Sequence, residues 1–193
     1  MSIEIKKLSK AYSGENVINE FSYIFADHSR TCIMGKSGCG KTTLLSILMG
    51  LIPADSGQIT GLEGCKISAV FQENRLCENL SALLNVKMIT DISKRYSVDD
   101  ISYYFNLIGI DANDKKPVSQ YSGGMKRRVA ILRALLADYD VILMDEPLKG
   151  LDVETKDNVI NLILELTRDK TFIMTTHDTN EANRLQAQII NYI

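Results

Sequence analysis

The residues Gly35-Lys36-Ser37-Gly38-Cys39-Gly40-Lys41-Thr42 constrain this chain more than any other stretch. They fit G-x-x-x-x-G-K-[ST], the phosphate-loop pattern. The physics requires this order. Glycines let backbone N–H groups curl around phosphate oxygens, and a helix that follows offers the positive end of its dipole. The lysine adds a point charge, and the terminal hydroxyl can reach a magnesium ion. Such a loop works only between a strand and a helix. Arg30-Thr-Cys-Ile-Met34 reads as a short buried strand and Thr42 to Leu51 as a helix, so the context agrees. The pattern implies a nucleoside triphosphate site in an α/β core.

The remaining chain supports that class. Ile3 to Leu8 alternates apolar and polar residues, as a half-exposed strand does, and Val17 to Phe25 reads as a second strand. Pro53, Ser56 and Gly57 mark a turn, and Lys66 to Phe71 a further strand. From Glu73 to Ala137 the strand signal fades. Ser81 to Ile89, Val98 to Ile108 and Met125 to Ala137 carry helical spacing, which predicts a helical subdomain over 73–137 inserted between core segments 1–72 and 138–193. Strand and helix then alternate again: strand Val141 to Met144, helix Val153 to Leu166, strand Phe172 to Thr175, helix Asp178 to Leu185 and strand Ile189 to Ile193. Continuous apolar strands separated by helices predict a mainly parallel sheet.

Composition narrows the partners. Twenty-two basic and 24 acidic residues among 193 leave a net charge of −2, without the basic excess of a dedicated nucleic-acid binder. No run approaches the roughly 20 apolar residues of a membrane-spanning helix. The start, Met-Ser-Ile-Glu-Ile-Lys-Lys, has no apolar signal core, so export is not expected. Cys32, Cys39, Cys65 and Cys77 lack metal-ligand spacing, and with only two histidines in the chain they read as reduced intracellular thiols.

Two further elements carry chemistry. Val141-Ile-Leu-Met-Asp145-Glu146-Pro147 is a buried strand ending in carboxylates, which delivers Asp145 toward a metal shell and Glu146 toward an attacking water. Tyr121-Ser122-Gly123-Gly124-Met125 opens a helix, with Ser122 as its cap, and makes a second anion-binding N-terminus. One nucleotide rarely needs two such ends from one chain, whereas two copies face to face could each lend one to the other.

Taken in order, the phosphate loop, Gln72 in Val70-Phe-Gln-Glu, Tyr121–Met125, Asp145-Glu146-Pro147, Gly150-Leu-Asp152 and His177 in Thr176-His-Asp resemble the nucleotide-binding subunit of ATP-binding cassette (ABC) transporters over nearly the whole chain. The resemblance implies a P-loop core, a small N-terminal antiparallel β region and the helical insert. It implies that Tyr12 stacks on adenine and that Gly35, Lys36, Ser37, Gly38, Cys39, Gly40, Lys41, Thr42 and Thr43 hold the ATP phosphates. It implies Mg²⁺ at Thr42, Gln72 and Asp145, Glu146 as catalytic base, and His177 as a contact to the γ-phosphate. Ser122, Gly123 and Gly124 would touch the ATP of a second copy, with Asp152 at that interface. Gln72 and the segment Glu73 to Leu80 would face a membrane permease.

The pattern also has departures. Tyr121 and Met125 replace the ends of the family's Leu-Ser-Gly-Gly-Gln, and the methionine resembles the nitrate, sulfonate and taurine importer branch. Leu148-Lys-Gly-Leu-Asp152 departs from Ser-Ala-Leu-Asp. The chain ends about sixteen residues after His177, which reads as a near-minimal catalytic unit. Cys39, at a helix N-terminus beside Lys41, reads either as a reactive thiol whose alkylation would block ATP or as a small side chain that the loop requires. The resulting expectation is a transport-coupled ATPase on the cytoplasmic face of a bacterial membrane, working as a homodimer with a permease and a separate solute-binding protein. The alternative is a soluble ABC ATPase of DNA repair, translation or cofactor assembly.

Overall fold

Ile3–Tyr12 (β1) and Glu15–Phe25 (β2) form an antiparallel hairpin, and β1 also pairs antiparallel with Ser56–Thr60 (β4), giving the strand order β2-β1-β4. The computed structural model describes residues 2–93 and 95–192. A second sheet carries the strands Arg30–Met34 (β3), Ile67–Val70 (β5), Val141–Asp145 (β6), Thr171–Thr176 (β7) and Gln188–Asn191 (β8) in the order β5-β6-β7-β3-β8. The pairs β6–β7, β7–β3 and β3–β8 are all parallel. The sequence reading had placed a turn at Ser56 and Gly57. The structure corrects it to β4, and the reason is a close crossing. Gly57 has φ +92, and a Cβ there would run into the Lys7 carbonyl and the Leu8 backbone. A glycine inside a strand marks such an approach, and the β1–β4 register shifts between Lys6 and Ser9. The expected strand Ile189 to Ile193 is β8, Gln188–Asn191; Ile193 lies outside the described residues.

The chain divides into two units. The first contains the residues up to Ala69, Tyr139–Glu146 and those from Asp169 onward. Its core joins Ile3, Ile5 and Leu8 of β1 and Ile33 of β3 to Val141 and Leu143 of β6, Ile173 of β7 and the helix Lys41–Leu48 (α1) through Leu44, Leu45 and Leu48. Strands β6 and β7 are buried along their full length, the burial expected of central parallel strands. A short helix, Thr179–Arg184 (α6), follows β7.

The second unit, Val70–Asp138 with Pro147–Arg168, is helical. It holds Ala82–Ser93 (α2), Val98–Leu107 (α3), Gly123–Leu135 (α4) and Val153–Leu166 (α5). Sequence order had grouped α5 with the core segment 138–193, but α5 packs on α3 and α4. Side-chain caps start α3, α4 and α5. Ser97 and Asp100 form a reciprocal capping box on α3, Ser122 accepts from Met125 N–H at 3.2 Å, and Asp152 accepts from Thr155 N–H at 2.9 Å. Among the described residues, no helix is long and apolar enough to cross a membrane.

Candidate functional site

The phosphate loop joins the end of β3 to α1, and its backbone is fixed by two close approaches. A Cβ on Gly35 would collide with the Tyr192 carbonyl, and one on Gly40 would lie 2.6 Å from the Val17 carbonyl. Gly40 also has φ +98, in the left-handed region that glycine alone occupies without strain. As the N-cap of α1 it carries no capping side chain, so no side chain competes with an anion for the first-turn N–H groups. Lys41 is buried, and its ammonium donates to the Gly35 and Lys36 carbonyls, both at 2.8 Å. The Cys39 thiol lies 3.8 Å from the Tyr192 carbonyl and from Lys41 Nζ.

Asp145 closes β6 and is buried with both oxygens engaged. Thr42 Oγ1 donates to Oδ2 at 2.7 Å, and Thr175 Oγ1 donates to Oδ1 at 2.5 Å. Thr175 also accepts from the Glu146 N–H at 3.0 Å. Glu146 has φ +43, a conformation costly for a residue with a Cβ and common at functional turns. It reverses the chain at the strand end, and its Oε1 lies 3.6 Å from His177 Nδ1 just beyond β7. Farther along, Thr176 Oγ1 donates to Glu181 Oε2 at 2.6 Å, which ties β7 to α6. Glu181 and Thr176 are both buried.

The first unit therefore gathers Gly35, Lys41, Thr42, Asp145, Glu146 and His177 at the carboxyl ends of parallel strands, the end where open α/β sheets bind ligands. Tyr12, at the end of β1, is half exposed, with Lys10 Nζ 5.5 Å from its ring centroid, so its face is not consumed by the core. Gln72, Ser122, Gly123, Gly124 and Asp152 belong to the second unit. There Gln72 is exposed, and Asp152 caps α5. The Thr155 N–H on the Asp152 carboxylate holds its pKa below the usual range. Thr175 escaped the sequence reading. Its signal was there: Thr175 and Thr176 follow the apolar run Phe172-Ile-Met174 in a buried strand, and buried hydroxyls need partners.

Comparisons with known proteins identify the family. The ABC transporter family matches residues 18–149. The chain belongs to the ABC transporter family. It is 32% identical over 203 residues to the aliphatic sulfonates import ATP-binding protein SsuB of Bacillus cereus, covering 98% of this chain and 80% of that one. It is 34% identical to the taurine import ATP-binding protein TauB of Pelagibacter ubique, covering 94% of this chain and 74% of that one. With the spermidine/putrescine import ATP-binding protein PotA of Fusobacterium nucleatum it shares 32% identity over 97% of its own length but only 54% of the relative's. Among solved structures, a dimeric bacterial ABC transporter cassette superposes with TM-score 0.82 at 27% identity, covering 94% of this chain and 90% of that one. A post-hydrolysis cassette bound to ADP and phosphate gives TM-score 0.81 at 26% identity, with the same coverage. The fold is the ABC ATPase cassette, a mainly parallel P-loop core with a small antiparallel sheet and a helical unit.

Proposed function

We propose that this cassette hydrolyses ATP as the energy-coupling subunit of an importer, two copies working against a separate permease. The observation that supports the reading is the hydrogen-bonded chain from Thr42 of the phosphate loop through Asp145 and Thr175 to the Glu146 N–H, with His177 3.6 Å from the Glu146 carboxylate. Gly35 to Thr43 would bind the phosphates through loop and first-turn N–H groups, with Lys41 turning its ammonium from the loop carbonyls to phosphate oxygens. Tyr12 would stack on the adenine.

The donors present suit magnesium. Thr42 and Asp145 offer hard oxygens side by side, and the family resemblance makes Gln72 the third ligand proposed. Among the described residues no group of three or more His, Cys, Asp or Glu side chains converges on one point. When bound, the ion would neutralise charge on the phosphates. The Glu146 carboxylate would take the proton of the attacking water as that oxygen bonds to the γ-phosphorus and the β–γ bridge breaks toward ADP. His177, 3.6 Å from Glu146, would hold the γ-phosphate and keep the carboxylate turned toward the water. The fixed amide of Glu146 limits how far that carboxylate can wander.

Ser122, Gly123 and Gly124 open α4 and would engage the ATP held by the second copy, closing the pair when nucleotide is present. Asp152 would lie in that interface. Gln72 and Glu73–Leu80 would meet the permease, which puts the cassette on the cytoplasmic face of the membrane. The relatives are named for the import of aliphatic sulfonates, taurine and spermidine/putrescine, which are anions, a zwitterion and cations, so their common feature is energy coupling rather than cargo. A separate solute-binding protein would then set the cargo.

Phosphate release from Mg-ATP tests the reading. The unaltered protein turns over, and Glu146→Gln binds ATP but loses about 10²-fold or more in rate, the usual size of general-base catalysis. Lys41→Ala loses ATP binding. A Glu146→Gln protein within about tenfold of the unaltered rate would remove Glu146 from the chemistry.

A further inference from the structure

The second unit contains a buried arginine that the reading above does not use. Arg127, in the second turn of α4, is only 6% exposed. Its Nε donates to the Pro147 carbonyl at 2.8 Å. Its Nη1 donates to the Phe71 carbonyl at 2.5 Å and lies 3.4 Å from the Gln72 carbonyl and 3.5 Å from Asn74 Oδ1. One guanidinium therefore joins three segments. These are the loop that carries Gln72, the helix opened by Ser122, Gly123 and Gly124, and the chain that leaves Glu146. The planar fork makes this possible, since it aims donors along fixed and divergent directions. A lysine at the same site would offer a single rotating point.

Neighbouring contacts restrain the same loop. Arg133 Nη2 donates to the Arg75 carbonyl at 2.9 Å, and the Arg75 guanidinium lies over the Phe71 ring at 3.7 Å. Lys126 pairs with Glu78 at 2.8 Å. The buried Asn85 side chain accepts from Cys77 N–H at 2.8 Å and donates to the Cys77 carbonyl at 3.1 Å. Only Arg127 among these also reaches the segment after Glu146. The backbone at Phe71–Asn74 is thus fixed while the Gln72 side chain stays exposed.

We infer that Arg127 is a positioning residue that makes the Gln72 loop, the Ser122–Gly124 helix and the segment after Glu146 move as one piece when ATP is engaged. This rests on the roles proposed above for Gln72, Ser122–Gly124 and Glu146. Arg127 acts through the backbone carbonyls of Pro147 and Phe71 that it holds. Its effect is to keep the Gln72 loop in register with the helix that senses the partner's ATP.

Two measurements test it. In the first, Arg127→Lys and Arg127→Met are assayed well below their unfolding midpoints. The expected result is a kcat at least tenfold lower for both, with ATP affinity within threefold of the unaltered protein, because the phosphate loop lies in the other unit. Unchanged kcat per folded molecule, or full rescue by lysine, would overturn the inference. The second needs no change at Arg127 and so stands even if those variants do not fold. Amide hydrogen exchange is followed in Glu146→Gln with and without Mg-ATP. Residues 71–75, 123–127 and 147–149 should gain protection together, by factors within about threefold of one another. Protection gained at 123–127 while 71–75 exchanges as before would refute the coupling. Phosphate release by the unaltered protein checks the hydrolysis reading separately, since the exchange experiment requires ATP binding and closure of the pair but no turnover.

Discussion

Replacing Thr175 with valine deletes one hydroxyl that serves two partners. That hydroxyl donates to the buried Asp145 carboxylate at 2.5 Å and accepts the Glu146 N–H at 3.0 Å. A hydrogen bond to a charged group contributes about 1.5–3 kcal/mol, and the part-buried bond from the Glu146 N–H about 0.5–1.5 kcal/mol. The two losses share one atom and do not simply add, so about 3 kcal/mol is the expected destabilisation. For a chain of this size each kcal/mol lowers Tm by about 2–4 °C, giving a fall of about 6–12 °C. Thr175→Ser is the control. It keeps both bonds and loses one buried methyl, about 1 kcal/mol or about 2–4 °C. Differential scanning calorimetry reads both. A valine variant that melts within about 2 °C of the serine variant would mean that the hydroxyl holds neither group.

Three other outcomes follow from the same contacts. Gly40→Ala places a Cβ against the fixed Val17 carbonyl at φ +98, so it lowers Tm more than Gly38→Ala, whose added Cβ at φ +81 meets no atom within 4 Å; equal shifts would refute the steric reading. On the alkaline side, burial pushes the Tyr192 hydroxyl up to about 12, above its unfolded value near 10. A folded pKa above the unfolded one gives stability that is complete below pH 10 and lost as pH climbs toward 12, so Tyr192→Phe flattens the fall in Tm over that window. On the acid side, Asp100 is held low by its hydrogen bonds to Ser97 and Asp152 by the Thr155 N–H, so their contribution is present above about pH 4 and disappears as pH drops below it. Asp100→Asn reduces that acid sensitivity, read as the Tm difference between pH 5 and pH 3.

Much of this architecture is legible in local pattern. Arg30–Met34 and Val153–Leu166 carry unbroken periodicity, and the structure places β3 and α5 over those same residues. Where local and tertiary causes part, the sequence misleads. Ser56 and Gly57 have turn chemistry, but Gly57 is there because β4 crosses β1 too closely for a side chain. Helix α5 follows a core strand in the chain, yet its apolar face finds α3 and α4. Motif order named Thr42, Asp145, Glu146 and His177 but not Thr175, because no local pattern tells which buried hydroxyl meets which carboxylate. Arg127 reads as one basic residue in Lys126-Arg-Arg128 until the fold surrounds it with carbonyls.

The central claim is a cassette whose ATP site is completed by a second copy. Solution mass of Glu146→Gln, with and without Mg-ATP, tests it most directly. A monomer of 21.6 kDa is expected without nucleotide and a species of about twice 21.6 kDa with it. Adding Ser122→Arg should abolish the larger species, because the Ser122–Gly124 helix end is what reaches the partner's ATP. A protein that binds ATP yet stays at 21.6 kDa, or a dimer indifferent to Ser122→Arg, would contradict it.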